Sequence, residues 1–344
     1  MDTQLKPKYT PQDFKSELEI KWCPGCGDHG ILNSVQKAMP EVAEQMGYSH
    51  EDFTIVSGIG CSSRFPYYMK TYGFHGIHGR ASAIATGVKV ANPKLSVWQI
   101  TGDGDAMAIG GNHFIHAIRR NIDLNIILFN NEIYGLTKGQ YSPTSKYGKV
   151  TKTSPFGTIE EPFNPGQLVI GSRGTFFARS LDVELNLTKE CLVEGSKHHG
   201  TSVVEVLQNC VIFNDKTHIA ITDKAERADR TIVLKHGERM IFGKEKNKGL
   251  ILDGFELKVV TIGENGVKEE DILVHDAHEK NPIVHTMLVN MAYPEYPVAL
   301  GVIREVKEGT YDARMVEQIE EASAESKIKT MDDLLNSGDT WEVK

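Results

Sequence analysis

The sequence predicts an α/β protein built on a doubly wound, mostly parallel sheet, with a smaller α+β extension at its C-terminal end. Short apolar segments alternate with helical ones as far as Leu207, and this alternation is typical of the fold class. The segment Leu124–Phe129 (LNIILF) is apolar throughout, as expected for a parallel strand that is covered on both faces. After Asn214 the pattern changes to short strand-like segments and then to helical ones.

Five strands and three helices are expected before residue 214. The expected strands are Phe53–Ser57, Leu95–Thr101, Leu124–Phe129, Thr175–Arg179 and Thr201–Leu207. The first helix begins after Arg80, is rich in small residues and stops at Asn92-Pro93, because proline interrupts a helix. The second runs from Asp105 to Arg120 with a loose, glycine-containing start, and the third crosses Leu187–His198.

The chain divides into an N-terminal arm (1–21), a dense domain (22–214) and a C-terminal extension (215–344). In the extension, residues 231–262 predict short strands with turns at His236-Gly237 and Asp253-Gly254. Residues 277–335 have a more helical pattern. The helical part carries an acidic face formed by Glu317, Glu320, Glu321 and Glu325.

Composition excludes several classes of function. The formal net charge is −8 and no basic run reaches motif length, so we expect no nucleic-acid partner. No segment approaches the roughly 18 to 20 consecutive apolar residues of a membrane span, so we expect no membrane insertion. The start, MDTQLKPKYT, lacks the apolar core of a signal peptide. We therefore expect a cytoplasmic protein.

The five cysteines suggest a bound group. They are Cys23, Cys26, Cys61, Cys191 and Cys210, and an odd number in a long chain argues against a disulfide framework. The pair Cys23 and Cys26 (WCPGC) is compatible with an iron–sulfur cluster, with structural zinc or with a thioredoxin-like redox site. The residues alone leave these alternatives open. Cys191 follows a helical apolar pattern and is expected to be buried in the core.

The strongest local motif is Gly102-Asp103-Gly104-Asp105, followed one βαβ unit later by Asn130-Asn131. Both segments follow expected parallel strands, where open α/β sheets bind ligands. Glycines let the backbone approach a diphosphate, and carboxylate and amide oxygens suit Mg²⁺. An ordinary glycine turn beside an Asn pair is the alternative. A dinucleotide fingerprint fits less well, because position 107 is methionine rather than glycine.

This pairing resembles the thiamine diphosphate motif. Four further segments narrow the resemblance: WCPGCG at 22–27, GIGCSS at 58–63, HGR at 78–80, and YGLTKGQ at 134–140 with SPT at 142–144. Their order looks like that of the β subunits of 2-oxoacid:ferredoxin oxidoreductases. The resemblance extends from about Trp22 to Asn214 and implies a sheet of the thiamine diphosphate-binding type.

The resemblance implies thiamine diphosphate and Mg²⁺ as cofactors. It assigns Mg²⁺ to Asp103, Asn131 and the carbonyl of Ile133. The other expected cofactor contacts are Gly60, Cys61, Ser62, His78, Gly102, Gly104, Asp105, Gly135, Leu136 and Thr137. It also implies a [4Fe–4S] cluster on Cys23, Cys26, Cys61 and Cys210, and a catalytic role for His78.

The resemblance further implies the reaction and its partners. We expect a β subunit that oxidatively decarboxylates 2-oxoglutarate to succinyl-CoA and CO₂ with coenzyme A, or catalyses the reverse carboxylation, and that passes electrons through the cluster to ferredoxin. An α subunit would complete the active site as αβ or α₂β₂. Lys138, expected as a catalytic residue, favours a substrate with a second carboxylate. Pyruvate or branched-chain 2-oxoacids are the alternative substrates, and a cluster-free thiamine-dependent enzyme or a zinc-stabilised, non-catalytic interaction subunit are alternative functions.

Overall fold

The computed structural model describes residues 8–343. Its strands are β1 (Phe53–Ser57), β2 (Tyr72–His75), β3 (Ser96–Gly102), β4 (Asn125–Asn130), β5 (Phe176–Leu181), β6 (Ser202–Leu207), β7 (Thr231–Leu234), β8 (Ile241–Phe242), β9 (Lys248–Asp253), β10 (Glu256–Thr261) and β11 (Val298–Glu305). Its helices are α1 (Asp28–Met46), α2 (Phe65–Tyr68), α3 (Ala81–Ala91), α4 (Gly111–Arg120), α5 (Pro165–Gly171), α6 (Leu185–Lys197), α7 (Ile219–Thr222), α8 (Arg227–Arg230), α9 (Ile283–Asn290), α10 (Tyr311–Glu325) and α11 (Met331–Leu335).

Eight of these strands form one sheet in the part of the chain that the structure describes, in the order β2-β1-β3-β4-β6-β5-β11-β7. Neighbouring strands from β2 to β5 run parallel. Strand β11 pairs antiparallel with β5 and parallel with β7. A smaller antiparallel sheet contains β10, β9 and β8. The predicted fold class, a mostly parallel doubly wound sheet with an α+β extension, is confirmed.

Helices cover both faces of the large sheet. Side chains alternate between the two faces of a strand. On β4, Ile127 and Phe129 join the core cluster that contains the apolar sides of α1 and α6, whereas Ile126 and Leu128 join the cluster of α3 and α4. Strand β4 is therefore buried from both sides, which explains its uninterrupted apolar sequence.

The extension completes the sheet, because two of its strands, β7 and β11, extend the sheet beyond β5. The helical prediction for 277–335 is wrong over β11. This strand is irregular at Gly301, whose φ is +87° and where an added Cβ would lie 2.5 Å from the carbonyl oxygen of Leu234. Only glycine permits this approach of β11 to β7. The division of the chain at residue 214 stays a prediction.

The N-terminal arm packs onto the domain where the structure describes it. Phe14 is fully buried and meets Phe53 at a ring-centroid distance of 5.4 Å. Residues 1–7 of the predicted arm lie outside the described residues. Between residues 8 and 343, no helix combines the length and the apolar character needed to cross a membrane.

Candidate functional site

The loops that follow β1, β3, β4 and β6 meet at one edge of the sheet, because the carboxyl ends of parallel strands share an edge. They line two adjoining clefts. The first, which we call the glycine cleft, is lined by Gly60, Cys61, Ser62, His78, Gly102, Asp103, Gly104, Asp105, Asn131, Ile133, Gly135, Leu136 and Thr137, together with Ile59, Phe129 and Tyr134. All of the sequence-predicted cofactor contacts are therefore brought together in one cleft.

Asp103 follows β3 and is buried, with its carboxylate held by two hydroxyl groups. Ser142 Oγ and Thr144 Oγ1 both donate to Asp103 Oδ2, each at 2.5 Å. Burial raises the pKa of Asp103 to about 6, although these two hydrogen bonds act in the opposite direction. We call Ser142 and Thr144 the Asp103 latch. The latch residues belong to the SPT segment that carried part of the resemblance, but sequence reasoning assigned them no role.

A buried hydrogen-bond network connects the latch to the interior of the sheet. Thr144 Oγ1 also lies 2.9 Å from Asn130 Oδ1. Asn130 Nδ2 donates to Glu205 Oε1 at 2.8 Å, and Glu205 Oε2 accepts from Arg179 Nε at 2.6 Å. These groups belong to β4, β6 and β5, and all are buried. The position of Asp103 is thus determined by the core of the sheet rather than by a surface loop alone.

Asn131 and Ile133 lie beside Asp103 in the glycine cleft. Asn131 Oδ1 accepts from the backbone N–H of Ile133 at 3.2 Å, and Asn131 Nδ2 donates to Gln208 Oε1 at 2.8 Å. Gln208 Nε2 lies 3.3 Å from Cys26 Sγ. Gln208, which sequence reasoning missed, therefore connects the Asn131 side chain to the cysteines through direct contacts.

The Asp105 carboxylate joins three segments around the glycine cleft. It accepts hydrogen bonds from Gly79 N at 2.7 Å, from Ile59 N at 3.1 Å and from Thr101 Oγ1 at 2.8 Å. Three of the roughly four acceptor positions of this carboxylate are thus occupied within the protein. The helix predicted from Asp105 begins with a π-helical turn, Asp105–Ile109, before α4, a feature that is frequent at functional sites.

Gly104 and His78 both show the character of a ligand site. A Cβ on Gly104 would lie 2.2 Å from Tyr134 Cε1, and Tyr134 Oη donates to the Gly104 carbonyl oxygen at 3.1 Å. Glycine is therefore required at position 104 for Tyr134 to close against the loop. Within residues 8–343, the buried Nε2 atom of His78 has no hydrogen-bond partner, and it lies 3.9 Å from Asp105 Oδ1. A buried polar atom of this kind is expected to meet a bound group.

The second cleft, which we call the cysteine cleft, is lined by Cys23, Cys26, Cys61 and Cys210, and by residues that include Trp22, Asp28 and Lys138. A Cβ on Gly135 would lie 3.4 Å from Cys210 Sγ and 3.6 Å from Cys61 Sγ. Burial, reinforced by the nearby Asp28 carboxylate, raises the pKa of Cys61 to about 12 and also raises that of Cys26. A bound cation would favour the thiolate forms of these two cysteines. Cys191 is buried in α6 within the core, as predicted.

The spacing of the cysteines argues against a single zinc ion. Tetrahedral zinc with Zn–S bonds near 2.3 Å brings its sulfur ligands to about 3.8 Å from one another. No three cysteine sulfurs in residues 8–343 lie within 4.8 Å of one another. The four side chains surround one cleft at a wider spacing, which suits a group larger than one metal ion.

The two clefts share a wall. Cys61, Asn131, Gly135 and Leu136 line both of them. Lys138 lies in the turn that continues this wall, where its N–H donates to the Gly135 carbonyl at 3.0 Å, and its φ is +76°. The Lys138 side chain is exposed and lines the cysteine cleft rather than the glycine cleft. Its expected catalytic role stays a prediction.

The chain is similar to known proteins both in sequence and in structure. Residues 58–206 match the family model described as thiamine pyrophosphate enzyme, C-terminal TPP binding domain. The 2-oxoglutarate oxidoreductase subunit KorB of Mycobacterium tuberculosis is 46% identical over 335 residues, which cover 96% of this chain and 88% of that protein. Subunit beta of 2-oxoacid:ferredoxin oxidoreductase 2 of Aeropyrum pernix is 43% identical over 203 residues, which cover 59% of this chain and 64% of that one.

A solved structure extends the similarity to the whole fold. It is the 2-oxoglutarate:ferredoxin oxidoreductase from Magnetococcus marinus with 2-oxoglutarate, coenzyme A and succinyl-CoA bound. The match has a TM-score of 0.76 and 30% sequence identity, and it covers 98% of each chain. The similarity therefore includes the extension after residue 214 as well as the two clefts.

Proposed function

The chain belongs to the β subunits of the 2-oxoacid:ferredoxin oxidoreductase family, and we propose that it oxidatively decarboxylates 2-oxoglutarate together with an α subunit. The products are succinyl-CoA and CO₂, with electrons passing through a [4Fe–4S] cluster to ferredoxin. The same machinery supports the reverse carboxylation. The observation that carries this proposal is the wall of Cys61, Asn131, Gly135 and Leu136, which a cofactor cleft and a four-cysteine cleft share. Electron transfer from one bound group to the other requires such proximity.

The glycine cleft fits thiamine diphosphate and Mg²⁺. Asp103, Asn131 and the carbonyl of Ile133 would hold Mg²⁺, which prefers oxygen ligands. The latch binds this carboxylate at Oδ2 and would keep Asp103 in place for the metal. The loop at Gly102 and Gly104 would approach the diphosphate. The unpartnered His78 Nε2 would contact the cofactor or the substrate and could hold a proton there.

The cysteine cleft fits a [4Fe–4S] cluster on Cys23, Cys26, Cys61 and Cys210. Thiolates are the usual ligands of such clusters, and the wide spacing of the four side chains agrees with a multi-iron group. Gln208 Nε2 would remain beside Cys26 Sγ as a hydrogen-bond donor to the cluster sulfurs. Such donors are among the features that set the potential of an iron–sulfur group.

When bound, thiamine diphosphate supplies an electron sink for the carbanion left by the departing CO₂, and the cluster accepts electrons one at a time. The chain's own residues bind and orient these groups. Asp105 keeps the segments of Ile59 and Gly79 in place around the cleft. Tyr134 packs against Gly104 and donates a hydrogen bond to its carbonyl oxygen.

An α subunit is needed because this chain offers no available acid for the cofactor's aminopyrimidine. Among the described residues that line the glycine cleft, the acids are Asp103 and Asp105. Asp103 is bound by the latch and would hold Mg²⁺, and Asp105 accepts hydrogen bonds from two backbone N–H groups and the Thr101 hydroxyl. The activating glutamate is therefore proposed to come from the α subunit, as the family resemblance implies.

Substrate choice is proposed to depend on Lys138. Its ammonium group lies on a long, exposed side chain in the turn after Gly135, and it would pair with the distal carboxylate of 2-oxoglutarate. Pyruvate and branched-chain 2-oxoacids lack this carboxylate. The names of the M. tuberculosis and M. marinus proteins, which are both 2-oxoglutarate enzymes, support the same choice.

The cluster assignment can be tested with matched cysteine variants in the assembled αβ complex. We expect Cys210→Ser to lower iron content and to block reduction of ferredoxin, because one thiolate ligand is lost. Cys191→Ser is the control, since this buried cysteine lies in α6 away from the cleft. Full iron content in Cys210→Ser, or iron loss confined to Cys191→Ser, would contradict the proposed ligand set.

A further inference from the structure

A second group of metal-ligating side chains lies in the extension, outside the two clefts. His236, Asp276 and His278 present ligand atoms that all lie within 4.8 Å of one another. His236 lies about 40 residues before Asp276 and His278 in the sequence, so no local motif predicts this group. His236 belongs to the turn between β7 and β8, and the other two belong to the loop before α9. Glu305, at the end of β11, lies beside His278.

The distances match those between ligands of one small metal ion. His236 Nδ1 lies 3.3 Å from Asp276 Oδ1, and His278 Nε2 lies 3.5 Å from Glu305 Oε2. Tetrahedral zinc with bonds of about 2.0–2.1 Å separates its ligands by about 3.3–3.4 Å. The two imidazole rings are stacked, with centroids 4.0 Å apart.

Backbone hydrogen bonds hold the three segments together without a metal. Gly237 N donates to the His275 carbonyl at 2.8 Å, and His275 N donates to the Glu238 carbonyl at 2.9 Å. Glu305 N donates to the Ala277 carbonyl at 2.7 Å. Asp276 Oδ1 also accepts from His278 N at 2.9 Å. The backbone of the three segments is thus held in place, while the side chains of His236, Asp276 and His278 are exposed.

We propose that His236, Asp276 and His278, with Glu305 beside them, form a binding site for a divalent transition-metal ion of the zinc class. Two imidazole nitrogens with carboxylates favour Zn²⁺ over Mg²⁺, which prefers oxygen ligands. The ion would join the turn between β7 and β8 to the end of β11. It would thereby cross-link segments of the extension that lie about 30 to 70 residues apart in the sequence. The site is separate from the proposed cofactor and cluster sites.

Calorimetric titration of ZnCl₂ into the cluster-loaded αβ complex, in buffer with excess Mg²⁺, tests this site. Wild type is expected to bind one more equivalent of zinc per β chain than the double variant His236→Ala/His278→Ala. Asp276→Asn is expected to weaken this equivalent by about tenfold or more, as loss of a charged oxygen ligand weakens zinc sites. The control is His199→Ala, which removes an exposed histidine elsewhere and is expected to bind like wild type.

Two results would overturn the proposal. One is an equal zinc stoichiometry in wild type and the double variant, which would mean that His236, Asp276 and His278 form surface ion pairs only. The other is binding that excess Mg²⁺ abolishes, which would indicate a non-selective anionic patch. Far-UV circular dichroism checks that each variant folds. Iron content and ferredoxin reduction are measured in parallel, so that failure of the zinc site is distinguishable from failure of the proposed function.

Discussion

Removing the Thr144 hydroxyl is expected to weaken binding of Mg²⁺ and thiamine diphosphate, although Thr144 contacts neither in our assignment. Thr144 Oγ1 lies 2.5 Å from Asp103 Oδ2 and 2.9 Å from Asn130 Oδ1, in a buried environment. Thr144→Val keeps the side-chain shape but removes the hydroxyl that contacts both oxygens. A hydrogen bond to a charged group contributes about 1.5–3 kcal/mol. If the substitution removes most of this free energy from the metal-bound state, the apparent affinity for Mg²⁺ falls by about tenfold to a hundredfold.

The effect should depend on pH with a defined sign. Burial already raises the pKa of Asp103 to about 6, and loss of a donor to the carboxylate raises it further. The variant's Asp103 is then more protonated than that of wild type near pH 6, and this difference shrinks as the pH rises above both pKa values. We therefore expect the affinity difference between wild type and Thr144→Val to be larger at pH 6 than at pH 8.

The assay is calorimetric titration of Mg²⁺ into the αβ complex at a fixed concentration of thiamine diphosphate, at both pH values. Thr144→Ser restores the hydroxyl and should recover most of the affinity. Thr158→Val removes the hydroxyl of another buried threonine of this chain, one that has no contact with Asp103, and should bind as wild type. Wild-type affinity in Thr144→Val, or an equal loss in Thr144→Ser, would refute a role of this hydroxyl in holding Asp103.

Two further predictions concern Lys138 and His198. Lys138→Ala is expected to reduce kcat/KM for 2-oxoglutarate by about tenfold to a hundredfold, because a charge-assisted hydrogen bond is lost, and to affect pyruvate much less; equal losses on both substrates would remove Lys138 from substrate selection. Burial lowers the pKa of His198 from the ordinary histidine value of 6.5 to about 4. Between these two pH values the unfolded chain binds more protons than the folded chain. The free energy of unfolding therefore falls as the pH drops, by about 2 kcal/mol at pH 5. His198→Gln should therefore show a smaller fall in thermal midpoint between pH 7 and pH 5 than wild type, and an identical fall would contradict this origin.

Much of the fold could be predicted because its central strands have a simple pattern. The segments Phe53–Ser57 and Leu124–Phe129 are short, apolar and followed by turn residues, and the structure contains them as β1 and, shifted by one residue, β4. Helix α1 is absent from the prediction, although Ile31, Val35 and Met39 recur at helical spacing. The helical spacing of these three apolar residues was the available signal for α1.

Other elements depend on contacts between distant parts of the chain. Strand β2 is short and exposed, and it exists because it pairs with β1. Strand β11 contains Gly301 in a left-handed conformation beside β7, which no local pattern of the sequence encodes. The apolar residues of the extension pack into the same core cluster as those of α3 and α4.

The candidate site shows the same division. Its backbone motifs, such as Gly102-Asp103-Gly104, can be predicted because glycines and a carboxylate at this spacing indicate a phosphate and metal site. The side chains that hold these motifs were missed. Thr144, Gln208 and Tyr134 form hydrogen bonds with residues that are distant in sequence. No spacing of hydroxyl, amide or phenol side chains along the sequence indicates such contacts.

The measurement that tests the account most directly is reduction of ferredoxin by purified protein supplied with 2-oxoglutarate, coenzyme A, thiamine diphosphate and Mg²⁺. We expect the αβ complex to reduce ferredoxin and to form succinyl-CoA and CO₂. The reaction should depend on coenzyme A and be faster with 2-oxoglutarate than with pyruvate. The isolated chain is expected to be inactive. Turnover by the isolated chain, or an αβ complex that is active only with other 2-oxoacids, would contradict the account.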